Sequence, residues 1–410
     1  MKRVVVVGAG AAGLAAAHHS LAESFQVDVY EQTKCVGGTW VYSEERGCHS
    51  SMYKVMKTNL PKEVMQYRDF PFKKDLSSFM SHEDVLEYLE DFSKHLPIHF
   101  ESTVEKIERS ACDQYWTVTV CKKDEEPQQL NYDVVFVCNG HYFEPRNPFA
   151  DSNFKGTLIH SHDYRKASEF AGKDVAVVGA GPSGIDIALQ LSSVCHNVTM
   201  ISRKATYPRL PPNVKQLASH VKEVTSDGVV TDEDETVLVD AIIVCTGYAM
   251  KFPFLSDDLV QLKADNQMVS PLYEHVVHVD YPDSLFFIGL NLVAITFPLF
   301  EYQVKMALGF VTGRAPIPEK EKLQSWENEQ LEHQATRGLD QRFYHLLQAE
   351  QWDYMARLSR IGRFEDWDYL QTMKKIFDYL FSERRENVVG YKNIDFVLNE
   401  NLTDFRVKRV

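Results

Sequence analysis

A six-residue glycine pattern occurs twice in this chain, each time behind a short β-branched run. The first copy is Gly8-Ala9-Gly10-Ala11-Ala12-Gly13 after the valines at 4–7, and the second is Gly179-Ala180-Gly181-Pro182-Ser183-Gly184 after residues 175–178. A continuous apolar run rich in valine predicts a strand covered on both faces, and the small and aliphatic residues after each third glycine predict a helix. In such a unit the first glycine makes the tight turn, the second lets backbone approach a pyrophosphate, and the third lets helix touch strand. The pyrophosphate then lies on the helix N-terminus, where unpaired N–H groups and the helix dipole favour negative charge. With 20 glycines in 410 residues, chance supplies the pattern about 0.05 times in a chain of this length. Two copies in one strand–turn–helix context therefore outweigh the bland reading, a pair of glycine-rich turns without a ligand.

The residue that closes each following strand separates the two copies. Glu31, eighteen positions after Gly13, ends a strand predicted at 27–30 and can accept a hydrogen bond from a free ribose 2′-hydroxyl. Arg203, nineteen positions after Gly184, ends the strand predicted at 198–202 within Ser202-Arg203-Lys204. A carboxylate there would repel a 2′-phosphate, whereas Arg203 can clamp one through two charge-assisted bonds. The pair predicts an NADPH-dependent flavoprotein, with FAD at the first copy and NADPH at the second.

The rest of the chain fits an α/β fold of two Rossmann-like dinucleotide-binding domains, the second inserted into the first, with a helical C-terminal extension. The strand run at 134–138 ends in Asn139-Gly140 and that at 241–245 in Thr246-Gly247-Tyr248, as if the chain leaves one domain and re-enters it. The expected division is a first FAD part over 1–154, an NADPH domain over 155–270, and a second FAD part with C-terminal helices over 271–410. Thr246 joins the expected cofactor-binding residues. Ser81 and Asp84 open a box-like helix start before the apolar face of Val85, Leu86, Leu89 and Phe92.

Composition narrows the function class. Lys+Arg 44 against Asp+Glu 58 leaves a net charge of −14, which argues against nucleic acid, whose binding needs a concentrated basic face. Seven cysteines (35, 48, 112, 121, 138, 195, 245) include no Cys-x-x-Cys, so no dithiol pair or zinc knuckle is written here. No His-Glu-x-x-His is present, and no metal site is expected. The longest apolar run, 285–300, is broken by Asn291 and Pro298 and is short of the ~20 residues of a membrane-spanning helix. The expectation is a protein without a membrane anchor, cytoplasmic or otherwise soluble, or secreted had a leader been trimmed. Aromatic residues crowd positions 315–385, and self-association into a homo-oligomer is expected from them.

Between the two modules stands Phe154-Lys155-Gly156-Thr157-Leu158-Ile159-His160-Ser161-His162-Asp163-Tyr164. It matches Phe-x-Gly-x-x-x-His-x-x-x-Tyr and resembles the signature of flavin-containing monooxygenases, which are class B flavoprotein monooxygenases. Baeyer–Villiger relatives typically carry Trp-Pro where this chain has Tyr164-Arg165. Gly37-Gly38-Thr39-Trp40, Lys57-Thr58-Asn59, Arg68-Asp69-Phe70-Pro71 and Glu301-x-Gln303 resemble further blocks of the family. The short stretch between Arg203 and Cys245 resembles the compact soluble branch, and residues 58–65 are similar to its pyrrolizidine-alkaloid (senecionine) N-oxygenases.

The resemblance implies FAD and NADPH as cofactors. It also implies O₂ as co-substrate, a C4a-hydroperoxyflavin, and a small nucleophilic amine or thioether as acceptor, a detoxifying alkaloid N-oxidation among the options. It implies Gly38 and Trp40 beside the flavin, and Asn59 as the catalytic contact through its amide. Plainer roles remain open: a loop asparagine that satisfies backbone for Asn59, and a core aromatic for Trp40. His160 and Tyr164 are expected to brace the interdomain turn rather than touch substrate. The competing functions are a Baeyer–Villiger-type or NADPH-oxidase-like flavoprotein, and a non-enzymatic flavin redox sensor.

Overall fold

The computed structural model of the protein describes every residue except Cys48, Ala111 and Thr206, so the reading of Cys48 lies outside the described residues. Strand Arg3–Val7 runs parallel to Gln26–Tyr30 on one side and to Val134–Val137 on the other. Val4, Val5 and Val6 are fully shielded as a result, which explains a strand with no polar alternation. The sheet continues through Leu285–Phe287, parallel to Val134–Val137, and ends in an antiparallel turn of Leu272–Tyr273 and Val277–His278. Ile98–His99 closes its other edge.

The second sheet repeats the plan with five parallel strands. Asp174–Val178 lies between Asn197–Ser202 and Ala241–Val244, flanked in turn by Val214–Ala218 and Thr157–His160. Two antiparallel connections join the sheets, Glu144–Pro145 going out and Tyr248–Ala249 coming back, and they pair with each other. Past that ribbon, Met250, Phe252, Phe254 and Leu255 are buried in one cluster with Val5, Val7 and Val137 of the first sheet. The apolar packing of residues 250–260 thus belongs to the first sheet, although the boundary expected from sequence lies at 270.

Each sheet also carries a small antiparallel sheet of three strands. These are Ser102–Arg109, Trp116–Lys122 and Gln128–Tyr132 in the first domain, and Val221–Val224, Gly228–Thr231 and Thr236–Leu238 in the second. Helix His82–Ser93 begins with the reciprocal Ser81–Asp84 capping box that its sequence announces.

The C-terminal region holds helices Thr296–Val311, Lys320–Thr336, Gln351–Gly362 and Leu370–Glu386, then a hairpin of Ile394–Leu398 and Phe405–Arg409. That hairpin was not part of the helical expectation. Trp326, Tyr344, Tyr354 and Tyr369 are buried in the main core, with Trp352, Trp367 and Tyr379 packed against it. They supply the chain's own interior, so the aromatic argument for self-association loses its basis. Among the described residues no helix is long and apolar enough to cross a membrane.

Burial neutralises several histidines at the junction of the sheets. Desolvation pushes both His141 and His160 down to about 4, with His162 adding to the effect on His160. In the unfolded chain each ring takes up a proton near the ordinary value of about 6.5. Between those values the unfolded state holds more protons, so stability falls with falling pH by about 1.4 kcal/mol per unit for each histidine. The thermal midpoint is therefore expected to drop steadily from about pH 6.5 to about pH 5. A midpoint that stays level across that window would contradict the burial of neutral rings.

Candidate cofactor cradles and the junction between them

Gly10 is the N-cap of helix Ala11–Ala22 and supplies no side-chain cap, and the first turn holds no acid. The leading N–H groups of the helix are left for whatever binds there. Two close approaches shape this turn. A Cβ on Gly13 would stand 1.9 Å from the Gly8 carbonyl oxygen, and one on Gly8, at φ +100°, would stand 2.7 Å from that of Cys138. Gly38 sits across from Gly10, so near that its Cβ would be 3.2 Å from the Gly10 Cα. The walls of this groove are bare backbone.

Glu31 lies buried at its rim. Its Oε2 accepts from the Ala9 N–H and its Oε1 from the Thr33 N–H, both at 2.8 Å. Each oxygen keeps a lone pair for a further donor such as a ribose hydroxyl. Trp40 closes the short turn Gly38–Trp40 and is half-buried against the main core.

The second cradle has the same construction. A Cβ on Gly184 would stand 2.0 Å from the Gly179 carbonyl oxygen, and one on Gly179 would meet that of Cys245 at 2.5 Å. Gly181 caps helix Pro182–Leu191, with proline in the first turn and no side-chain cap. Arg203, just past strand Asn197–Ser202, is exposed and makes no hydrogen bond or ion pair among the described residues. Bare helix N-termini, glycine walls and an uncommitted guanidinium fit two dinucleotide phosphates. Thr246 stands apart from this set. Its hydroxyl donates to the Arg146 carbonyl across the connecting ribbon, so toward a cofactor it can only accept.

Asn59 lies on a loop pinned from several directions. The Thr58 N–H donates to the Met80 carbonyl at 2.8 Å, the Met80 N–H returns to Thr58 Oγ1 at 3.2 Å, and Lys57 bridges to Ser81. Asn59 itself is half-buried, and its Oδ1 accepts from the Tyr391 hydroxyl at 3.2 Å. Its amide N–H groups make no hydrogen bond among the described residues and remain as donors.

One residue further, Lys392 Nζ donates to the Lys57 carbonyl and to Asp186 Oδ1, both at 2.9 Å. Asp186 belongs to helix Pro182–Leu191 and also accepts from the Tyr53 hydroxyl. Burial pushes the Lys392 ammonium down from its ordinary range against the opposing pull of Asp186. The same burial, reinforced by Asp186, pushes the Tyr53 phenol well up.

Sequence reasoning did not single out Tyr53, Asp186, Tyr391 or Lys392. The one signal was Asp186, an acid set between Ile185 and Ile187 on a helix whose neighbours are apolar. The family-like blocks do meet as braces. Glu301 contacts His19 Nε2 at 2.9 Å and accepts from the Arg68 N–H at 2.7 Å, while Gln303 accepts from the Gly289 N–H at 2.9 Å. His160 packs edge-on to Tyr248, and the Tyr164 hydroxyl donates to Gln190 Oε1 at 3.1 Å while its ring packs edge-on to Tyr53.

Two such cradles on one chain define a flavoprotein that takes electrons from a nicotinamide dinucleotide. The flavin-binding monooxygenase-like profile matches residues 1–208 and 212–367, and the chain belongs to that family. It is 36% identical over 384 residues to the flavin-containing monooxygenase FMO GS-OX5 of Arabidopsis thaliana, covering 86% of this chain and 83% of that one. Among solved structures it is similar to S-allyl-L-cysteine S-oxygenase from Allium sativum, with TM-score 0.87 and 30% identity over 96% of this chain and 95% of that one. Tmm from Pelagibacter sp. shares the fold, with TM-score 0.86 and 24% identity over 100% of this chain and 96% of that one. The protein is a flavin-containing monooxygenase, and FAD and NADPH are its cofactors.

The two cradles are separable by mutation. Gly13→Ala is expected to abolish flavin retention during purification, read from the visible absorbance of the protein. Gly184→Ala is expected to keep the yellow colour but raise KM for NADPH. Arg203→Ser is expected to raise KM for NADPH about tenfold with little change for NADH, and equal effects on both nucleotides would remove Arg203 from the 2′-phosphate.

Proposed function

We propose that the protein transfers one oxygen atom of O₂ to a soft nucleophilic heteroatom. Thioether sulfur is the first choice and tertiary-amine nitrogen the second. FAD occupies the cradle of residues 8–13 and NADPH that of residues 179–184. One observation carries this reading. The loop bearing Asn59 is tied through Lys392 to the helix of the second cradle, and the Asn59 amide keeps its N–H donors while its Oδ1 is held by Tyr391. The similarity to the S-allyl-L-cysteine S-oxygenase of Allium sativum favours sulfur.

FAD held in the first cradle would supply, with electrons from NADPH, the chemistry that activates O₂. The chain's own residues bind, orient and exclude water. Helix N-termini hold the pyrophosphates, Glu31 takes a ribose hydroxyl, and Arg203 discriminates for the 2′-phosphate. The Asn59 amide offers N–H donors to the reacting region. The substrate needs only a lone pair in near-attack geometry, so no acid–base pair of side chains is required. A cyclohexanone monooxygenase shares the fold at 16% identity, but Tyr164 and Arg165 are committed elsewhere. Tyr164 bonds Gln190, and the buried Arg165 guanidinium donates to the carbonyls of His162, Tyr164 and Glu45.

Sulfur and nitrogen substrates respond differently to pH. A tertiary amine is protonated near neutrality and then has no lone pair to offer, and an apolar site penalises its charged form. N-oxide formation is expected to rise as pH passes through the bound amine's pKa, while sulfoxide formation from a thioether stays level over the same range. Product analysis of a thioether, a tertiary amine and a cyclic ketone, each at several pH values, checks this. An ester from the ketone with no S- or N-oxide would overturn the proposal.

A further inference from the structure

The contacts of residues 391 and 392 are of a kind that a peripheral tail does not need. Tyr391 is 3% exposed, packs edge-on against Phe79, and lies under the Arg384 guanidinium. A phenol carries one proton, and the described residues offer this one no acceptor besides Asn59 Oδ1. Donation to Oδ1 fixes which end of the amide is which, and leaves the N–H groups as the face turned elsewhere. Without that bond the amide could rotate and present either its oxygen or its nitrogen.

Lys392 then secures the other end of the same tripeptide, by holding the Lys57 carbonyl, and in one step reaches the second module. Its side chain is 13% exposed and that of Asp186 15%, so the pair sits away from bulk water. The other oxygen of Asp186 takes the Tyr53 hydroxyl and, at 3.3 Å, the Gln190 amide, whose Oε1 receives the Tyr164 hydroxyl. Farther along, the Ser78 N–H donates to Asp395 at 2.9 Å and the Phe396 N–H to Ser78 Oγ at 2.8 Å. The end of the chain is thus laid along the loops that precede helix His82–Ser93.

We propose that Tyr391 and Lys392 are positioning residues of the oxygenation reaction: Tyr391 orients the Asn59 amide as a donor, and Lys392 locks the Asn59 loop to the NADPH module through Asp186. This rests on the assignment of Asn59 to the reacting region. Two consequences differ in kind. Loss of the phenol proton leaves hydride delivery in place but lets the reaction leak to H₂O₂, because the donor no longer faces one way. Loss of the ammonium leaves Asp186 without its cation and loosens the second module.

The test compares Tyr391→Phe, Lys392→Gln and Asn59→Ala as flavin-loaded enzymes with a thioether substrate. Two quantities are measured: the rate of anaerobic flavin reduction across NADPH concentrations, and the sulfoxide formed per NADPH consumed. Y391F is expected to lower sulfoxide per NADPH about fivefold, the weight of one neutral hydrogen bond, and to lower reduction much less. K392Q is expected to show the opposite split, with the NADPH concentration for half-maximal reduction raised about tenfold.

If N59A uncouples the enzyme while Y391F stays as coupled as the parent, the positioning role is overturned and the Asn59 reading stands. If N59A itself stays fully coupled, both fall. If K392Q leaves the NADPH dependence unchanged, the lock is refuted. Should K392Q not retain flavin, Asp186→Asn removes the same ion pair at constant volume and decides the question by the same measurement.

Discussion

Two near-collisions of backbone set the geometry on which this protein depends. At Gly13 and at Gly184 a helix comes so close to the preceding turn that a single added carbon would stand about 2 Å from the carbonyl oxygen of Gly8 or Gly179. That approach brings the helix N-terminus over the end of its strand. It also leaves the leading N–H groups of each helix without a side-chain cap. The anion site is therefore made by packing of backbone rather than by side chains, and it costs nothing in buried charge before the ligand arrives. Every other feature of the site is arranged around these two origins.

The two origins must also hold a fixed relation to each other, and the chain manages this with polar contacts at the junction. Only a narrow ribbon, Glu144–Pro145 against Tyr248–Ala249, connects the sheets covalently. Partly buried side chains add bonds between residues distant in sequence: Asp186 with Tyr53 and Lys392, Tyr164 with Gln190, and Thr246 with Arg146. Arg165 is the extreme case, a guanidinium 2% exposed and ringed by carbonyls. Such groups are costly if any partner is lost, so they favour one arrangement of the modules over its near neighbours. Transfer between two cofactors calls for that rigidity.

Legibility in the sequence followed the range of the interactions. The cradles were legible because their causes are local: β-branched strands, three glycines, and Glu31 or Arg203 at a fixed remove. The capping box at Ser81 and Asp84 was legible for the same reason. The small three-stranded sheets are hard to see in the sequence, since half-exposed strands such as Gln128–Tyr132 carry only a weak alternation. The final hairpin does alternate, at Ile394, Phe396 and Leu398 and again at Phe405 and Val407, but it follows a long helical stretch that dominates the pattern. The packing of Phe252 and Phe254 under the first sheet was invisible because strand order, not composition, decides it. Hardest of all was the Asn59–Tyr391 contact, which joins residues 332 positions apart with no periodicity to announce it. Resemblance pointed to Asn59, but only the folded chain shows what holds it.

The account stands on the claim that this chain delivers an oxygen atom from O₂ to a substrate heteroatom. The most direct measurement is mass spectrometry of the sulfoxide made from a thioether, NADPH and heavy-isotope dioxygen in ordinary water. The account predicts one heavy oxygen in each product molecule and one NADPH consumed for each sulfoxide. Unlabelled sulfoxide, or NADPH oxidation that yields only peroxide with thioether present, would contradict it.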